Sequence, residues 1–179
     1  MKTILSILLI VPLLAFVNPN RTEKRAQVGQ VDGKDVYVTH LPVTAYTIVG
    51  TASLGGATGN NVHENIESLI DEGDVLFAGQ YDAIITRDGI NAQFISYTIN
   101  PIHECKVLPT HSMDIYLFAE PNAAYTVVST INTRDWDSDD LRLNTFINKA
   151  IEEAAYASGS VDAIMSDGRT VSYIKYTSK

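Results

Sequence analysis

The chain has 179 residues, a formal net charge of −8 and a pI near 4.8. This acidity argues against nucleic acid as a partner, because neutralising phosphate groups requires a basic face. The single cysteine, Cys105, excludes an internal disulfide framework, and burial is the default expectation for a lone thiol.

The N-terminus is typical of a secretory signal peptide. Lys2 precedes an apolar run over residues 4–17, whereas a membrane-spanning helix needs about 20 apolar residues. We therefore predict an exported bacterial protein, periplasmic or extracellular, with no stable membrane span once the leader is removed. Cleavage near Ala15–Val17 and cleavage at Ala26 both fit the sequence, and an uncleaved N-terminal anchor is the alternative.

One stretch of the chain occurs twice. Residues 35–51 return as residues 114–130 at an offset of 79, with eight identical pairs. The correspondence continues to the ends of both copies, first at an offset of 80 and then again at 79, and the change from 80 to 79 indicates one extra residue, Arg87, in the first copy. The predicted segments are therefore a signal peptide with lead-in, a flexible segment, repeat unit 1, a linker and repeat unit 2, at residues 1–26, 27–34, 35–98, 99–113 and 114–179.

Each unit has the order strand, strand, helix, strand, strand. The first two strands are rich in Tyr, Thr, Val and Ile, and apolar residues recur at helical spacing from Leu143 to Ala155. Alternation in the last strand predicts that Ile95 lies beneath the helix. We therefore predict an α+β fold of two tandem ββαββ repeats, related by a pseudo-two-fold axis, each a small sheet covered by one helix.

Two glycine positions predict local details. Gly73 lies inside the first helix, where glycine costs about 1 kcal/mol relative to alanine, so we expect a break near residues 71–74. The Asp167-Gly168 pair predicts a two-residue type I′ turn, and the extra Arg87 predicts a three-residue loop with Gly89 in the left-handed conformation.

These motifs support a resemblance to a known family. The strand Tyr-Thr-x-Val-Gly-Thr at residues 46–51, then a helix, Asp-Ala-Ile and a final Phe-Ile-x-Tyr or Tyr-Ile-x-Tyr resemble the small bacterial heavy-metal-binding domains of the YbjQ-like family. The resemblance covers about 40 residues of each unit and implies a small α+β domain that is prone to oligomerise. The chain departs from the family pattern at Tyr81 and Val161, which replace an alanine, and neither repeat contains a set of cysteines for metal binding.

The linker carries candidate metal ligands. His103, Cys105 and His111 offer imidazole and thiolate groups that could hold zinc or copper. The alternative is a linker whose polar groups are solvated. His40 and His63 could join such a site only if the fold happened to bring them there.

Asp82 and Asp162 are present in both copies. They could form a symmetric pair, as a ligand site or as an acid/base dyad. The structural alternative is that each accepts backbone N–H groups where the chain enters the strand after the helix. The paired tyrosines are expected to pack in the core and across strands; the pairs are 37/116, 46/125 and 97/176.

Two other motifs fail at required positions. Residues 135–140 begin like a calcium loop, but Asp140 stands where the loop needs glycine and Phe146 where it needs glutamate. Residues 54–59 are glycine-rich but lack the lysine of a phosphate-binding loop. Helix capping and a mobile loop are the preferred interpretations.

No catalytic triad or nucleophile motif is recognisable. We therefore predict a non-enzymatic envelope or extracellular module, with no cofactor, that binds an envelope protein or forms a homo-oligomer through the strands after Pro42 and Pro121. The first alternative is a periplasmic metal-binding protein that uses the linker histidines and Cys105. The second is a hydrolase that uses the paired aspartates.

Overall fold

The computed structural model describes residues 24–56, 59–108, 112–136, 142–157 and 159–177. Within these residues the chain forms thirteen strands in three sheets, two helices and a short 3-10 turn at Thr133–Asp135. The helices are α1, Val62–Phe77, and α2, Leu143–Ala154. The strands are β1 Arg25–Val28, β2 Gln30–Val31, β3 Lys34–Val38, β4 Leu41–Pro42, β5 Tyr46–Ser53, β6 Ala83–Thr86, β7 Asn91–Tyr97, β8 Glu104–Lys106, β9 Asp114–Leu117, β10 Ala119–Pro121, β11 Tyr125–Asn132, β12 Ala163–Ser166 and β13 Thr170–Tyr176.

Two of the sheets share an internal strand order. The first sheet is ordered β2-β3-β6-β7-β5 and the second β9-β12-β13-β11. β3 runs parallel to β6 with Asp35 opposite Ala83, and β9 runs parallel to β12 with Asp114 opposite Ala163. β5 pairs with β7, and β11 pairs with β13. Both pairings contain a β-bulge at corresponding residues, between Ile48 and Gly50 in β5 and between Val127 and Ser129 in β11. Residues that correspond in the sequence repeat therefore hold matching positions in the two sheets.

The third sheet, ordered β10-β1-β8-β4, joins the two halves of the chain. Ala26 on β1 lies opposite Cys105 on β8, and both residues are fully buried. Ala26 also lies opposite Pro121 on β10, while Cys105 lies opposite Pro42 on β4. Because Ala26 and Cys105 are 79 residues apart, the two halves exchange equivalent strands in this sheet.

The predicted fold class is wrong. The described chain is mostly β, with three sheets, and is not a tandem pair of α+β ββαββ repeats that each consist of one small sheet under one helix. The segments predicted as a lead-in, a flexible segment and a linker supply β1, β2 and β8. These strands are 4, 2 and 3 residues long, too short for a period-2 pattern to stand out in the sequence.

The strands β3, β6, β9 and β12 of the first two sheets are buried on both faces, in two hydrophobic clusters. The first cluster contains both helices together with Val36, Ile84 and Phe94. The second lies beneath the third sheet and contains Ile95 and Cys105. Ile95 therefore does not lie beneath the helix, contrary to the prediction. Alternation separates the two faces of a strand, but it does not tell which element covers each face.

α1 continues through Gly73, where a break was predicted. A Cβ atom at Gly73 would lie 2.0 Å from the Phe94 ring, so the glycine allows close packing of the helix on β7. Asn61 caps the helix by accepting the N–H of Glu64 at 2.9 Å, and the chain leaves it through Ala78 and Gly79 with positive φ. Neither helix of the described part is long and apolar enough to cross a membrane.

The hairpin after β12 differs from the predicted type I′ turn. The loop spans Asp167 to Arg169, and Gly168 has a positive φ while Asp167 does not. A type I′ turn requires a positive φ at both central residues. Asp167 instead accepts the N–H groups of Arg169 and Thr170 at 2.9 and 2.8 Å, which holds the loop in an Asx-type turn.

Tyr173 occupies the position that Phe94 holds in the first sheet. Its ring is fully buried, and its hydroxyl has no hydrogen-bond partner among the described atoms. Burial raises the pKa of Tyr173 to about 12. An unsatisfied buried hydroxyl costs about 1–3 kcal/mol. Tyr173→Phe is therefore expected to raise the free energy of unfolding by about 1 kcal/mol in urea denaturation at pH 7, and a loss of stability would contradict this account.

Candidate functional site

A buried carboxylate organises the first polar cluster, the Asp35 cluster, which comprises Gln30, Asp35, Tyr37, Tyr97 and His103. The Tyr97 hydroxyl donates to Asp35 Oδ2 at 2.5 Å, and Gln30 Nε2 donates to Oδ1 at 2.8 Å. His103 Nδ1 lies 2.8 Å from Oδ2, and the hydroxyls of Tyr37 and Tyr97 are 2.7 Å apart. Asp35 is only 1% exposed, so these partners replace its water.

Strand register explains how these groups meet. Asp35 and Tyr37 are two residues apart on β3, so their side chains lie on the same face of the sheet. Asp35 lies opposite Ala83 on β6, which lies opposite Ile95 on β7. Tyr97 is two residues beyond Ile95 on that face, and it reaches Asp35 across the end of β6.

The two tyrosines of the Asp35 cluster remain protonated. Burial raises the pKa of Tyr97 far above its ordinary value, and its hydrogen bond to Asp35 raises it further. Burial likewise raises the pKa of Tyr37, although the hydrogen bond with Tyr97 opposes this shift. Because the proton of Tyr97 is donated to Asp35, the Tyr37 hydroxyl donates to Tyr97. The cluster is therefore a directed chain of hydrogen bonds that ends at one carboxylate.

A second polar cluster, the Asp114 cluster, repeats this arrangement in the second sheet with Tyr116, Tyr176 and Lys24. The Tyr176 hydroxyl donates to Asp114 Oδ2 at 3.0 Å, and it lies 2.6 Å from the Tyr116 hydroxyl. Lys24 forms an ion pair with Asp114. The Asp114 side chain is 18% exposed, whereas the Asp35 side chain is 1% exposed, so the carboxylate of the second cluster is more accessible to solvent.

The basic side chains of the two clusters are exchanged between the halves of the chain. Lys24 and His103 are 79 residues apart, as are Asp35 and Asp114. Lys24, just before β1, contacts the carboxylate of the second sheet, whereas His103, just before β8, contacts that of the first. Each contact ties the third sheet to a neighbouring sheet. The recurrence of a basic side chain at this position favours a structural role for His103, a contact with the buried carboxylate of Asp35.

The internal repeat did not point to Lys24, because the repeat unit defined from the sequence begins at Asp35. Residues 24–34 and 103–113 share one identical pair at this offset, Val28 with Val107. The sequence did offer one signal for the two clusters: Asp35, Tyr37 and Tyr97 are each identical to the residue 79 positions later. That pattern indicates a shared network, but not the partner of each carboxylate.

The predicted metal ligands are in different environments. His103 Nδ1 is engaged by Asp35, while Cys105 is fully buried and His111 lies outside the described residues. Burial raises the pKa of the Cys105 thiol to about 12, so the thiolate that a metal requires is disfavoured. The described residues contain no group of three or more His, Cys, Asp or Glu side chains that could hold a metal. Zinc or copper binding stays a prediction.

The other two candidate histidines lie elsewhere. His40, between β3 and β4, is buried with no partner for either ring nitrogen among the described atoms. Burial lowers the pKa of His40 to about 4. His63 lies in the first turn of α1, where its Nδ1 is 2.8 Å from the carbonyl oxygen of Asp167. Neither ring is bonded to His103 in the described part of the chain.

Asp82 accepts hydrogen bonds from the end of β7, and Asp162 accepts one from the end of β13. Asp82 Oδ2 accepts the backbone N–H of Tyr97 and the hydroxyl of Ser96, both at 2.8 Å. Asp162 Oδ2 accepts the backbone N–H of Tyr176 at 3.0 Å. No recorded bond joins the two carboxylates among the described residues. Each aspartate thus holds the backbone of the tyrosine that serves its cluster, and a joint ligand or catalytic site stays a prediction.

The remaining motifs lie partly outside the described residues. Of the calcium-like segment, residues 137–140 lie outside, and Trp136 packs on Phe146 with ring centroids 5.2 Å apart. Of the glycine-rich segment, residues 57–58 lie outside, and Gly59 donates its N–H to Asn65 Oδ1 at 2.9 Å. These described contacts are those of helix packing and helix capping.

The outer strands β5 and β11 form a candidate interaction surface, which we call the outer edges. Each is an eight-residue edge strand that pairs on one side only within the described chain. Their sequences, YTIVGTAS and YTVVSTIN, contain no charged residue and no proline. Ile48 is 55% exposed, and its counterpart Val127 is 52% exposed. Protein edge strands are normally protected by charge, proline, brevity or a β-bulge, and β5 and β11 carry the bulge but neither charge nor proline.

Comparison with protein-family models, with curated proteins and with solved structures finds no match to this chain. The resemblance to the YbjQ-like domains is therefore not tested by these comparisons and stays a prediction.

Proposed function

We propose that this chain is an exported, non-enzymatic bacterial protein that assembles with copies of itself by pairing its outer edges. The observation that carries the proposal is the pair of exposed, uncharged, eight-residue edge strands. Unpaired N–H and C=O groups on such a strand form a ladder with a second strand, and exposed β-branched side chains add contact area.

A second copy of the chain suits these edges better than a charged partner. Neither edge offers a charge for an ion pair, and both carry the same bulge, so an edge of another copy has the same local twist. The net charge of −8 opposes association between copies. Added salt screens this repulsion, so assembly is expected to strengthen between about 10 mM and 150 mM salt.

The test is sedimentation velocity of the purified protein at rising concentration. Wild-type protein is expected to form oligomers, and the double variant Ile48→Lys/Val127→Lys is expected to remain monomeric, because a lysine on each edge must be desolvated to pair. The matched control is Val75→Lys/Tyr156→Lys, which places the same charges at residues that are 80% and 84% exposed and lie on or beside the helices. A strictly monomeric wild-type protein, or equal loss of assembly in the control, would contradict the proposal.

The position of β1 makes a prediction about export. Ala26 is fully buried in the middle of the third sheet, and Lys24 neutralises Asp114, so cleavage at Ala26 would remove or cut this strand. We expect the exported protein to begin before Lys24, in agreement with cleavage near Ala15–Val17. Intact-mass measurement of protein recovered from the periplasm of a bacterial host checks this. A mature chain that begins at Gln27 would contradict it, and protein that stays in the cytoplasm would contradict export.

A further inference from the structure

A cavity of about 270 Å³ lies beside the Asp35 cluster. Asp35, Tyr97 and His103 line it from the cluster, and Asp82 lines it from the position just before β6. This volume is just below the range of about 300–1,000 Å³ that holds drug-sized ligands, so the cavity suits a small molecule. None of the described residues that line it belongs to β5 or β11, so a ligand here does not depend on the outer edges.

The cavity wall carries open hydrogen-bond acceptors. Asp82 Oδ1, Gln30 Oε1 and His103 Nε2 have no recorded partner among the described atoms, because these side chains form their bonds through Oδ2, Nε2 and Nδ1. The Asp35 carboxylate only accepts, so His103 Nδ1 carries the proton of their contact, and Nε2 of the neutral ring is an acceptor. A ligand group with several N–H donors matches this set.

The charge of the cavity wall favours a cation. Asp35 and Asp82 contribute two carboxylates, against the one ammonium group of Lys34. That ammonium group donates to the carbonyl oxygen of Tyr81 at 2.7 Å and lies 4.2 Å from the centroid of the Tyr81 ring. With a neutral His103, the wall therefore keeps one negative charge in excess. Asp35 is 1% exposed, so salt screens its charge weakly.

The second half of the chain holds an ammonium group in the corresponding place. Lys24 forms an ion pair with Asp114, and its Nζ lies 5.7 Å from the centroid of the Tyr176 ring. Asp114 and Tyr176 correspond to Asp35 and Tyr97, which line the cavity of the first half. In the Asp35 cluster a histidine stands where the second cluster has this lysine. The fold itself thus shows this pair of a carboxylate and a tyrosine holding a primary ammonium group.

We propose that the cavity binds a small molecule that carries a primary ammonium group on an alkyl chain. A primary ammonium group has three N–H donors, one for each of the open acceptors Asp82 Oδ1, Gln30 Oε1 and His103 Nε2. The alkyl chain contacts Ile99 and Pro101, which line the same cavity; Ile99 is 64% exposed, so covering it removes apolar surface from water.

The first experiment compares three probes on the purified wild-type protein by ¹H–¹⁵N NMR at pH 7. The probes are n-butylamine, which is protonated at this pH, n-butanol, which has the same length and no charge, and tetramethylammonium, which has the charge but no N–H donor. n-Butylamine is expected to shift the backbone signals of Tyr97, Ile99 and His103 in a saturable way, and the other two probes are expected not to do so. Saturable shifts of the same size with n-butanol or tetramethylammonium, or no saturable shift with n-butylamine, would overturn the proposal.

The second experiment locates the site with matched variants. Asp82→Asn is expected to weaken the binding of n-butylamine about tenfold, because it removes a charged acceptor while the amide oxygen can still accept the N–H of Tyr97. Asp162→Asn makes the same change in the second half and is expected to leave the affinity unchanged. An affinity that Asp82→Asn does not alter, or an equal loss in both variants, would contradict the site. The comparison of probes uses wild-type protein alone, so it does not depend on the folding of either variant.

Removal of Lys24 tests the correspondence between the two halves. Lys24→Ala leaves Asp114 without its ammonium group, and n-butylamine is expected to take that place as a second ligand. Added n-butylamine should therefore raise the urea midpoint of Lys24→Ala more than that of wild type. A midpoint gain no larger than that of wild type would show that these clusters do not hold a free primary ammonium group, and the inference would fail.

Discussion

Replacing Asp35 with alanine is expected to lower the free energy of unfolding by about 2–3 kcal/mol, the largest loss predicted for a single substitution in this chain. The carboxylate is 1% exposed and has three partners, the Tyr97 hydroxyl, Gln30 Nε2 and His103 Nδ1. Alanine would leave the Tyr97 hydroxyl without its acceptor in a part-buried place, and an unmade buried hydrogen bond costs more than a made one contributes. Gln30 is exposed and the His103 side chain is 45% exposed, so water can replace the acceptor for these two groups. Urea denaturation at pH 7 measures the effect.

The Asp114 cluster provides the matched control. Asp114→Ala removes the equivalent carboxylate, but its side chain is 18% exposed, and its cation, Lys24, is 53% exposed. Water can therefore replace part of what is lost, and we expect a decrease of only about 1–2 kcal/mol. Asp35→Asn, which keeps an acceptor oxygen for Tyr97, should lose less than Asp35→Ala. Equal losses for Asp35→Ala and Asp114→Ala would show that burial does not determine the contribution of these acids.

The long strands of the repeat could be predicted from sequence because they carry their own pattern. Residues 45–52 were expected to form a strand from their Tyr, Thr, Val and Ile content, and β5 is observed at Tyr46–Ser53. The repeat also pointed to Asp35 and Tyr97 through their counterparts at the same offset. The contacts of these residues could not be predicted, because they involve the third sheet, whose strands are too short to show alternation in the sequence.

Gly73 illustrates why local rules failed elsewhere. Helix propensity alone predicts a break, because glycine is poor in a helix interior. The observed helix continues because the missing side chain allows the Phe94 ring to pack against the helix, and this gain depends on a residue 21 positions away. The exchanged contacts of Lys24 and His103 are non-local in the same sense, since each joins one half of the chain to the other.

His40 is expected to reduce stability in acid. Burial lowers the pKa of His40 to about 4, whereas an unfolded histidine has a pKa near 6.5. Between these values the unfolded chain binds a proton that the folded chain does not, so the free energy of unfolding falls as pH falls. The loss begins below pH 6.5 at about 1.4 kcal/mol per pH unit and reaches about 3 kcal/mol by pH 4. Above pH 6.5 His40 is neutral in both states and contributes no pH dependence.

Substitution at His40 separates this titration from packing. His40→Ala introduces the residue found at the corresponding position, Ala119, and His40→Gln keeps a polar side chain that does not titrate. The two variants are expected to differ in stability at pH 7, where only packing and hydrogen bonding change. Relative to wild type, however, both should gain about 3 kcal/mol between pH 7 and pH 4, because each removes the same proton-binding difference. Urea denaturation across this range measures the gain, and carboxylate titration cancels in the comparison. If the difference in the free energy of unfolding between wild type and both variants is independent of pH, His40 is protonated equally in the folded and unfolded states. Its burial then does not cause the loss of stability below pH 6.5.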